Sequence, residues 1–179
     1  MPKISIFLYL SGVKTNPVTD IETIYHFYNC FQERDVEGMI SCYHPKIVFI
    51  DPAFGTLEGE RVFNMWRMLI SRLDDHSKIE ITSVYALNRK ASCNWTADYL
   101  FGKSKRQIHN EIESHFRFEG NRIIEQRDVF DIWEWSKQAI GIMGYAFGWT
   151  YTMNKMIIKQ SNQYLDYYIN KQAEAVEPD

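Results

Sequence analysis

The spacing of apolar positions changes period part-way along the chain. Ile21, Ile24, Tyr25, Tyr28 and Phe31 recur at helical spacing, and Phe27 widens the stripe. Asn16-Pro17 marks a loop ahead of them, and Thr19 or Asp20 can cap the helix. After a break at Glu33-Arg34-Asp35, Val36, Met39, Ile40 and Tyr43 predict a second helix, ended by His44-Pro45. Lys46 to Asp51 then reads as a strand with Ile47, Phe49 and Asp51 on one face. Pro52 and Gly55 close it with a turn, and Gly59 sits in a second loop. Glu60 to Leu73 returns to helical period, with Val62, Phe63, Trp66, Leu69, Ile70 and Leu73 on one side.

Beyond the polar connector at Asp74-Asp75-His76-Ser77, the period falls to two. Lys78 to Leu87 alternates weakly and Asn88-Arg89-Lys90 turns. Ala91 to Phe101 sets Cys93, Trp95, Ala97 and Tyr99 on one face, and Asn94, Thr96 and Asp98 on the other. A turn at Gly102 to Lys105 leads into a long strand, Gln107 to Phe118, with Ile112, Ser114 and Phe116 inward. Glu119-Gly120-Asn121 turns into a last strand, Arg122 to Asp131, with Gln126, Asp128 and Phe130 in one phase. Consecutive hairpin joints predict an antiparallel meander. Helices first and strands later predict an α+β fold with the helices on one face of the sheet.

Trp133 to Ile140 is short and aromatic-rich, and Gly141, Gly144 and Gly148 follow it. Met153, Met156, Ile157, Gln160, Tyr164, Leu165, Tyr168 and Ile169 then mark an amphipathic helix, and Ala173 to Asp179 reads as a frayed acidic end. That apolar stripe needs a partner. Lys155, Lys159 and Lys171 are few and Asp166 offsets them, so the stripe is expected to pack on the protein rather than on a membrane.

A length of 179 residues fits one domain with an appendage. The parts are an arm over 1–18, a domain over 19–141 and a helical extension over 142–179. A net charge of −3 gives no electrostatic footprint for nucleic acid. At 45% hydrophobic and 24% charged residues, the chain can offset its ordering entropy with a core. Lys3 followed by Ile4 to Leu10 reads as a first strand or terminal arm rather than a leader, because the basic region is one lysine and no small-residue cleavage site follows. Cys30, Cys42 and Cys93 lack metal-ligand spacing and read as free buried thiols of a reducing, cytoplasmic compartment. No nucleophile elbow, phosphate loop, zincin or dinucleotide fingerprint is present.

The candidate chemistry lies in carboxylates. Asp51, at a strand end, is either a desolvated general base or a cap on the turn that follows. Asp128 shares the inward phase of the last strand and needs partners if buried. Asp131 falls at a strand–helix junction, where it either works in the site or caps the helix with Glu134 at capping-box spacing. His109, Glu111, Glu113 and His115 share the outward phase and read as solvated or interface residues. His26 and His44 read as helix-surface and helix-end residues.

Two stretches carry a resemblance. Tyr43-His44-Pro45-Lys46-Ile47-Val48-Phe49-Ile50-Asp51-Pro52 follows two short helices; Phe116-Arg117-Phe118-Glu119-Gly120-Asn121-Arg122-Ile123 leads into Glu125-Gln126-Arg127-Asp128-Val129-Phe130-Asp131. Over roughly Thr19 to Gly141 the chain resembles the nuclear transport factor 2-like superfamily, in its SnoaL-like and ketosteroid-isomerase-like bacterial branch. The resemblance implies a cone: a curved, mainly antiparallel sheet wrapped around helices and enclosing an apolar pocket. Such domains often pair through the outer sheet face, here the phase of Asn94, Thr96 and His109. A C-terminal helix after Gly148-Trp149-Thr150 resembles an extension of some bacterial members.

The resemblance implies roles residue by residue. Asp51 matches the proton-shuttling base of ketosteroid isomerases. Their oxyanion tyrosine falls on Phe27, with Tyr28 one residue away, and their protonated aspartate falls on Ser114. Asp131 resembles an acid–base aspartate of SnoaL-like cyclases, while Gln126 stands where many relatives have histidine. Asp128 can supply one carboxylate of an epoxide-hydrolase arrangement, without its arginine. Phe49, Trp66, Trp95, Tyr99 and Phe116 would wall the pocket. The expectation is a small apolar ligand, no cofactor or metal, and a homodimer. Two functions stay open: a cofactor-free isomerase, cyclase or hydrolase using Asp51 with Asp128 or Asp131, and a non-catalytic ligand-binding or dimerisation scaffold.

Overall fold

The computed structural model describes residues 17–175; the expected arm and the last of the expected acidic end lie outside the described residues. The element order is α1 (Pro17–Glu33), α2 (Val36–Ser41), β1 (Tyr43–Asp51), β2 (Gly55–Glu58), α3 (Glu60–Ile70), β3 (Lys78–Leu87), β4 (Lys90–Phe101), β5 (Arg106–Glu119), β6 (Arg122–Val129), α4 (Ile132–Ile140), α5 (Ile142–Phe147) and α6 (Tyr151–Glu174). Helix α1 starts ahead of the expected cap. Asp20 therefore sits inside its first turn, where it pairs with Arg89 at 2.8 Å. Asp35 caps α2 by accepting from Gly38 N at 2.9 Å.

Six strands form one sheet in the order β2-β1-β6-β5-β4-β3. Strands β3 to β6 are the antiparallel meander that the alternation predicts, and β1 joins β6 in parallel. Ile47, Phe49, Trp95, Ala97, Ile112, Ser114 and Phe116 are all buried, while His109, Glu111 and Glu113 are exposed. The strand register is thus the expected one. Two details differ from the expectation. Tyr43 and His44-Pro45 belong to β1 rather than to the second helix, and β2 is a strand where a turn and loop were expected. The β1–β6 register shifts between Tyr43 and Val48, so Pro45 sits where an amide is not required by the ladder.

The core lies between the sheet and α1 and α3. Phe27, Phe31, Tyr28, Tyr43, Phe49, Trp66 and Trp95 meet edge-to-face or tilted, with ring centroids 5.2–5.8 Å apart. Such contacts fill the space between the sheet and the helices with side chains. Cys30, Cys42 and Cys93 are free and buried.

The tail packs back on the domain. Met153, Ile157 and Leu165 of α6 are buried, whereas Met156 and Tyr164 of the same expected stripe are exposed. Asn162 Nδ2 donates to Phe54 O at 2.9 Å, and Arg61 pairs with Asp166 at 2.7 Å. These contacts bring α6 over the turn that follows β1.

Candidate functional site

Asp51 ends β1 and Asp128 lies near the end of β6. The parallel register sets Phe49 beside Gln126 and Ile50 beside Arg127. Carried one residue further, it sets Asp51 beside Asp128, on strands that run about 4.8 Å apart. Both share the inward phase of Phe49 and Gln126, Asp128 buried and Asp51 half-buried, and Asp51 feels the Asp128 charge.

Each carboxylate is held differently. Asp51 Oδ1 accepts from Ala53 N at 3.0 Å and from Phe54 N at 2.5 Å, so it does cap the turn after β1. Gly55 supports that turn with φ +73°, a conformation that favours glycine. Burial nevertheless pushes the Asp51 carboxyl up to about 7, against the pull of the Phe54 amide, and the Asp128 charge adds to the rise.

Asp128 is the end of a buried hydrogen-bond network. Ser114, its cross-strand partner, donates from Oγ to Asp128 Oδ1 at 2.6 Å. Ser114 Oγ accepts from Trp95 Nε1 at 2.8 Å and from Tyr28 OH at 3.2 Å. A hydroxyl has one hydrogen and two lone pairs, and here all three are used. A second branch runs from Trp66 Nε1 to Tyr43 OH at 2.9 Å, from Tyr43 OH to Gln126 Oε1, and from Gln126 Nε2 to Asp128 Oδ1 at 3.0 Å. Both branches point their hydrogens at Oδ1, so a proton on Asp128 belongs on Oδ2. Burial pushes Asp128 up to about 6, while the Ser114 and Gln126 donors hold it down.

Tyr99 on β4 shares the inward phase of Trp95 and Ala97. Its hydroxyl accepts from Trp135 Nε1 of α4 at 2.8 Å. Burial pushes the Tyr99 phenol up to about 12, the Trp135 bond opposes the rise, and the Asp51 charge adds to it. Phe130 is half-buried against the core.

The remaining expected residues fall into three places. Tyr28, Trp95, Ser114 and Gln126 hold Asp128, while Phe49, Trp66 and Phe116 are buried core. Asp131 is exposed and accepts from Trp133 N at 2.8 Å and Glu134 N at 3.1 Å, so it caps α4 and lies outside the carboxylate pair. Tyr43 is the residue that sequence reasoning missed as part of the network. Its period-two spacing to Ile47 and Phe49 was the available signal. Surface cavities of about 240 and 620 Å³ lie elsewhere, one beside Phe31 and Leu73 and the other beside His44 and Asn121. Among the described residues, no cluster of His, Cys, Asp and Glu could hold a metal ion.

A family profile for the SnoaL-like domain matches residues 24–126, more than half of the chain. The chain belongs to the SnoaL-like family. No curated protein sequence matches it. Solved structures similar to this SnoaL-like domain share its fold at low identity. An epoxide hydrolase from M. tuberculosis is 18% identical with a TM-score of 0.60, over 74% of this chain and 98% of that one. A putative polyketide cyclase from a Silicibacter species is 18% identical with a TM-score of 0.55, over 66% and 93%. TerC, co-crystallised with polyporic acid, is 17% identical with a TM-score of 0.55, over 63% and 92%. These likenesses establish the nuclear transport factor 2-like cone for this SnoaL-like domain. Its chemistry has to be argued from its own residues.

Proposed function

We propose that this SnoaL-like domain catalyses cofactor-independent proton transfer on a small apolar carbon acid, with Asp51 as the base. The observation that carries the reading is that half-buried Asp51 and buried Asp128 end neighbouring strands on the inward face and Asp51 feels the Asp128 charge, with Asp51 pushed up to about 7 and Asp128 to about 6. A pair of this kind holds one proton between its members near neutral pH. The turn amides fix Asp51 through Oδ1, and Oδ2 takes the proton from carbon and returns it. Asp128, the lower of the two, is ionised while Asp51 titrates, and it accepts its fixed donors at Oδ1.

The oxyanion donors implied by the ketosteroid-isomerase resemblance fall on Phe27 and Ser114. Phe27 has no donor, and the Ser114 hydrogen is committed to Asp128. Tyr99 supplies the replacement. Its oxygen accepts from Trp135, which leaves its hydrogen for a developing enolate oxygen. On this reading the ligand meets Asp51, Asp128 and Tyr99 on the sheet and Trp135 on α4. Asp131 takes no part beyond its cap. Pairing of two copies through the Asn94, Thr96 and His109 face belongs to the same reading and is tested by light scattering at micromolar concentration.

A nitrobenzisoxazole, whose ring opens once a base removes its carbon-bound proton, tests the proposal without knowledge of the natural substrate. The expected result is a rate above buffer that follows an ionisation near pH 7. It is lost in Asp51→Asn and reduced in Tyr99→Phe. An equal rate in Asp51→Asn, or none in the wild type, contradicts the proposal.

A second reading has its own support. Aromatic contacts fill the space between the sheet and the helices, and Asp51 Oδ1 bonds to backbone amides, as a purely structural cap would. On that reading the domain is a non-catalytic ligand-binding or dimerisation scaffold. It predicts no proton-transfer rate with the probe.

A further inference from the structure

Helix α5 is packed inside out. A surface helix of a water-soluble domain buries its large apolar side chains and exposes polar ones. In α5 the buried residue is Gly144, and the helix ends on buried Gly148. A Cβ on Gly144 would lie 1.9 Å from Ser136 O, and one on Gly148 would lie 2.0 Å from Ser136 Oγ. The two glycines, four residues apart, therefore let the α5 backbone lie flat on α4. Everything large points away: Ile142 is 87% exposed, Tyr145 68%, Trp149 66% and Tyr151 72%, and Met143 and Phe147 are about half exposed. Small residues at the helix contact with large apolar residues outward is the arrangement of helices whose surroundings are lipid.

The stretch of chain that carries this patch is basic, while Asp131 and Glu134 of the neighbouring α4 start lie at its edge. The chain as a whole is acidic at −3, yet no Asp or Glu occurs between Glu134 and Asp166. Lys137, Lys155 and Lys159 fall within that stretch. Lys155 Nζ stands 4.6 Å over the Tyr151 ring, and Lys137, paired with Glu134, stands 4.6 Å over the Trp133 ring. The Arg106 guanidinium lies against Gly141 at the start of α5. Among the described residues no helix is long and apolar enough to cross a membrane. Trp and Tyr at an apolar patch with a basic border match the headgroup region of a bilayer.

We infer that α5 and the start of α6 form an interfacial docking surface for anionic phospholipid, with Ile142, Tyr145, Phe147, Trp149 and Tyr151 entering the headgroup–acyl boundary. A protein partner fits less well. Ile142 to Tyr151 is ten residues, whereas a stable interface engages about 20–30 residues on each side. The expectation of packing on the protein concerned the α6 stripe, whose Met153, Ile157 and Leu165 are indeed buried. The α5 patch is a separate surface. This inference does not depend on the proposed proton transfer.

The test is sedimentation of the full chain with vesicles of phosphatidylcholine alone and of phosphatidylcholine mixed with phosphatidylglycerol. The wild type is expected to bind the anionic vesicles about tenfold or more tightly than the neutral ones, and to be released by salt. Ile142→Asp/Phe147→Asp, both at exposed positions, is expected to lose vesicle binding with unchanged melting. Lys155→Gln/Lys159→Gln is expected to lose about tenfold on anionic vesicles only. Wild-type protein left in the supernatant with anionic vesicles overturns the inference, as does unchanged binding by the Ile142→Asp/Phe147→Asp variant. A wild-type dimer that this variant splits, without vesicle binding, overturns it in favour of self-association.

Discussion

Replacing Asp51 with Asn keeps an oxygen for the Ala53 and Phe54 amides and removes the ionisation. In the unfolded chain the Asp51 carboxyl titrates near 3.8, and in the fold burial pushes it up to about 7. Below about 3.8 both states hold the proton and the folded state keeps its full stability. As pH rises, the unfolded chain releases its proton first, so stability falls until pH passes about 7 and then levels. The gap from 3.8 to about 7 amounts to about 4 kcal/mol, at ~1.36 kcal/mol per pH unit. Asp51→Asn escapes this loss. Asp128, pushed up to about 6, loses stability in the same direction in both proteins and largely cancels from the comparison. Urea unfolding of both proteins at about pH 4 and about pH 8 should therefore show the wild type losing about 4 kcal/mol more than the variant. At about pH 8 Asp51→Asn should be the more stable protein. Parallel loss in the two proteins would refute the claim that Asp51 is desolvated in the fold.

Other outcomes follow from the same geometry. Ser114→Ala leaves the Trp95 and Tyr28 donors unpaired and should cost about 1–3 kcal/mol by urea unfolding. Because it also removes a donor to Asp128, carboxyl NMR should show Asp128 titrating higher still. Asp131→Ala removes the α4 cap and should cost about 1 kcal/mol without changing the rate on the benzisoxazole probe. Deleting 151–179 exposes the sites that Met153, Ile157 and Leu165 cover. It should cost about 5 kcal/mol, lower the melting temperature and raise binding of an apolar dye; unchanged melting would make α6 an independent appendage.

Much of this fold was legible because alternation is a strict signal. Once Cys93, Trp95 and Ala97 are set inward, hairpin joints of two to four residues carry the phase to Ile112, Ser114 and Phe116 and on to Gln126 and Asp128. Tyr43 was misplaced because its spacing from Met39 and Ile40 also satisfies a helix, and the irregular β1–β6 register around Pro45 hides the strand's start. Strand β2, four residues long, is too short for alternation to be read. The pairing of Asp51 with Asp128 was only half visible. Their shared inward phase is local, but their adjacency depends on the parallel β1–β6 contact across seventy residues of intervening chain, which no spacing rule reports. Asp131 illustrates the opposite limit. Its capping-box spacing to Glu134 and its resemblance to a cyclase aspartate pointed to different roles, and the backbone amides of Trp133 and Glu134 hold it at the cap. The packing of the α5 glycines has no sequence signal, because their close approach to Ser136 is a tertiary fact.

The central claim is that Asp51 and Asp128 form one desolvated acid–base pair on the inward face of neighbouring strands β1 and β6. Carboxyl carbon NMR of protein labelled at aspartate, assigned with Asp51→Asn and Asp128→Asn, measures it directly. The account predicts that Asp51 titrates near 7 and Asp128 near 6, and that Asp51 titrates lower in Asp128→Asn because a neighbouring negative charge is gone. Both carboxyls titrating near their ordinary 3.8, or an Asp51 unmoved by Asp128→Asn, would contradict it.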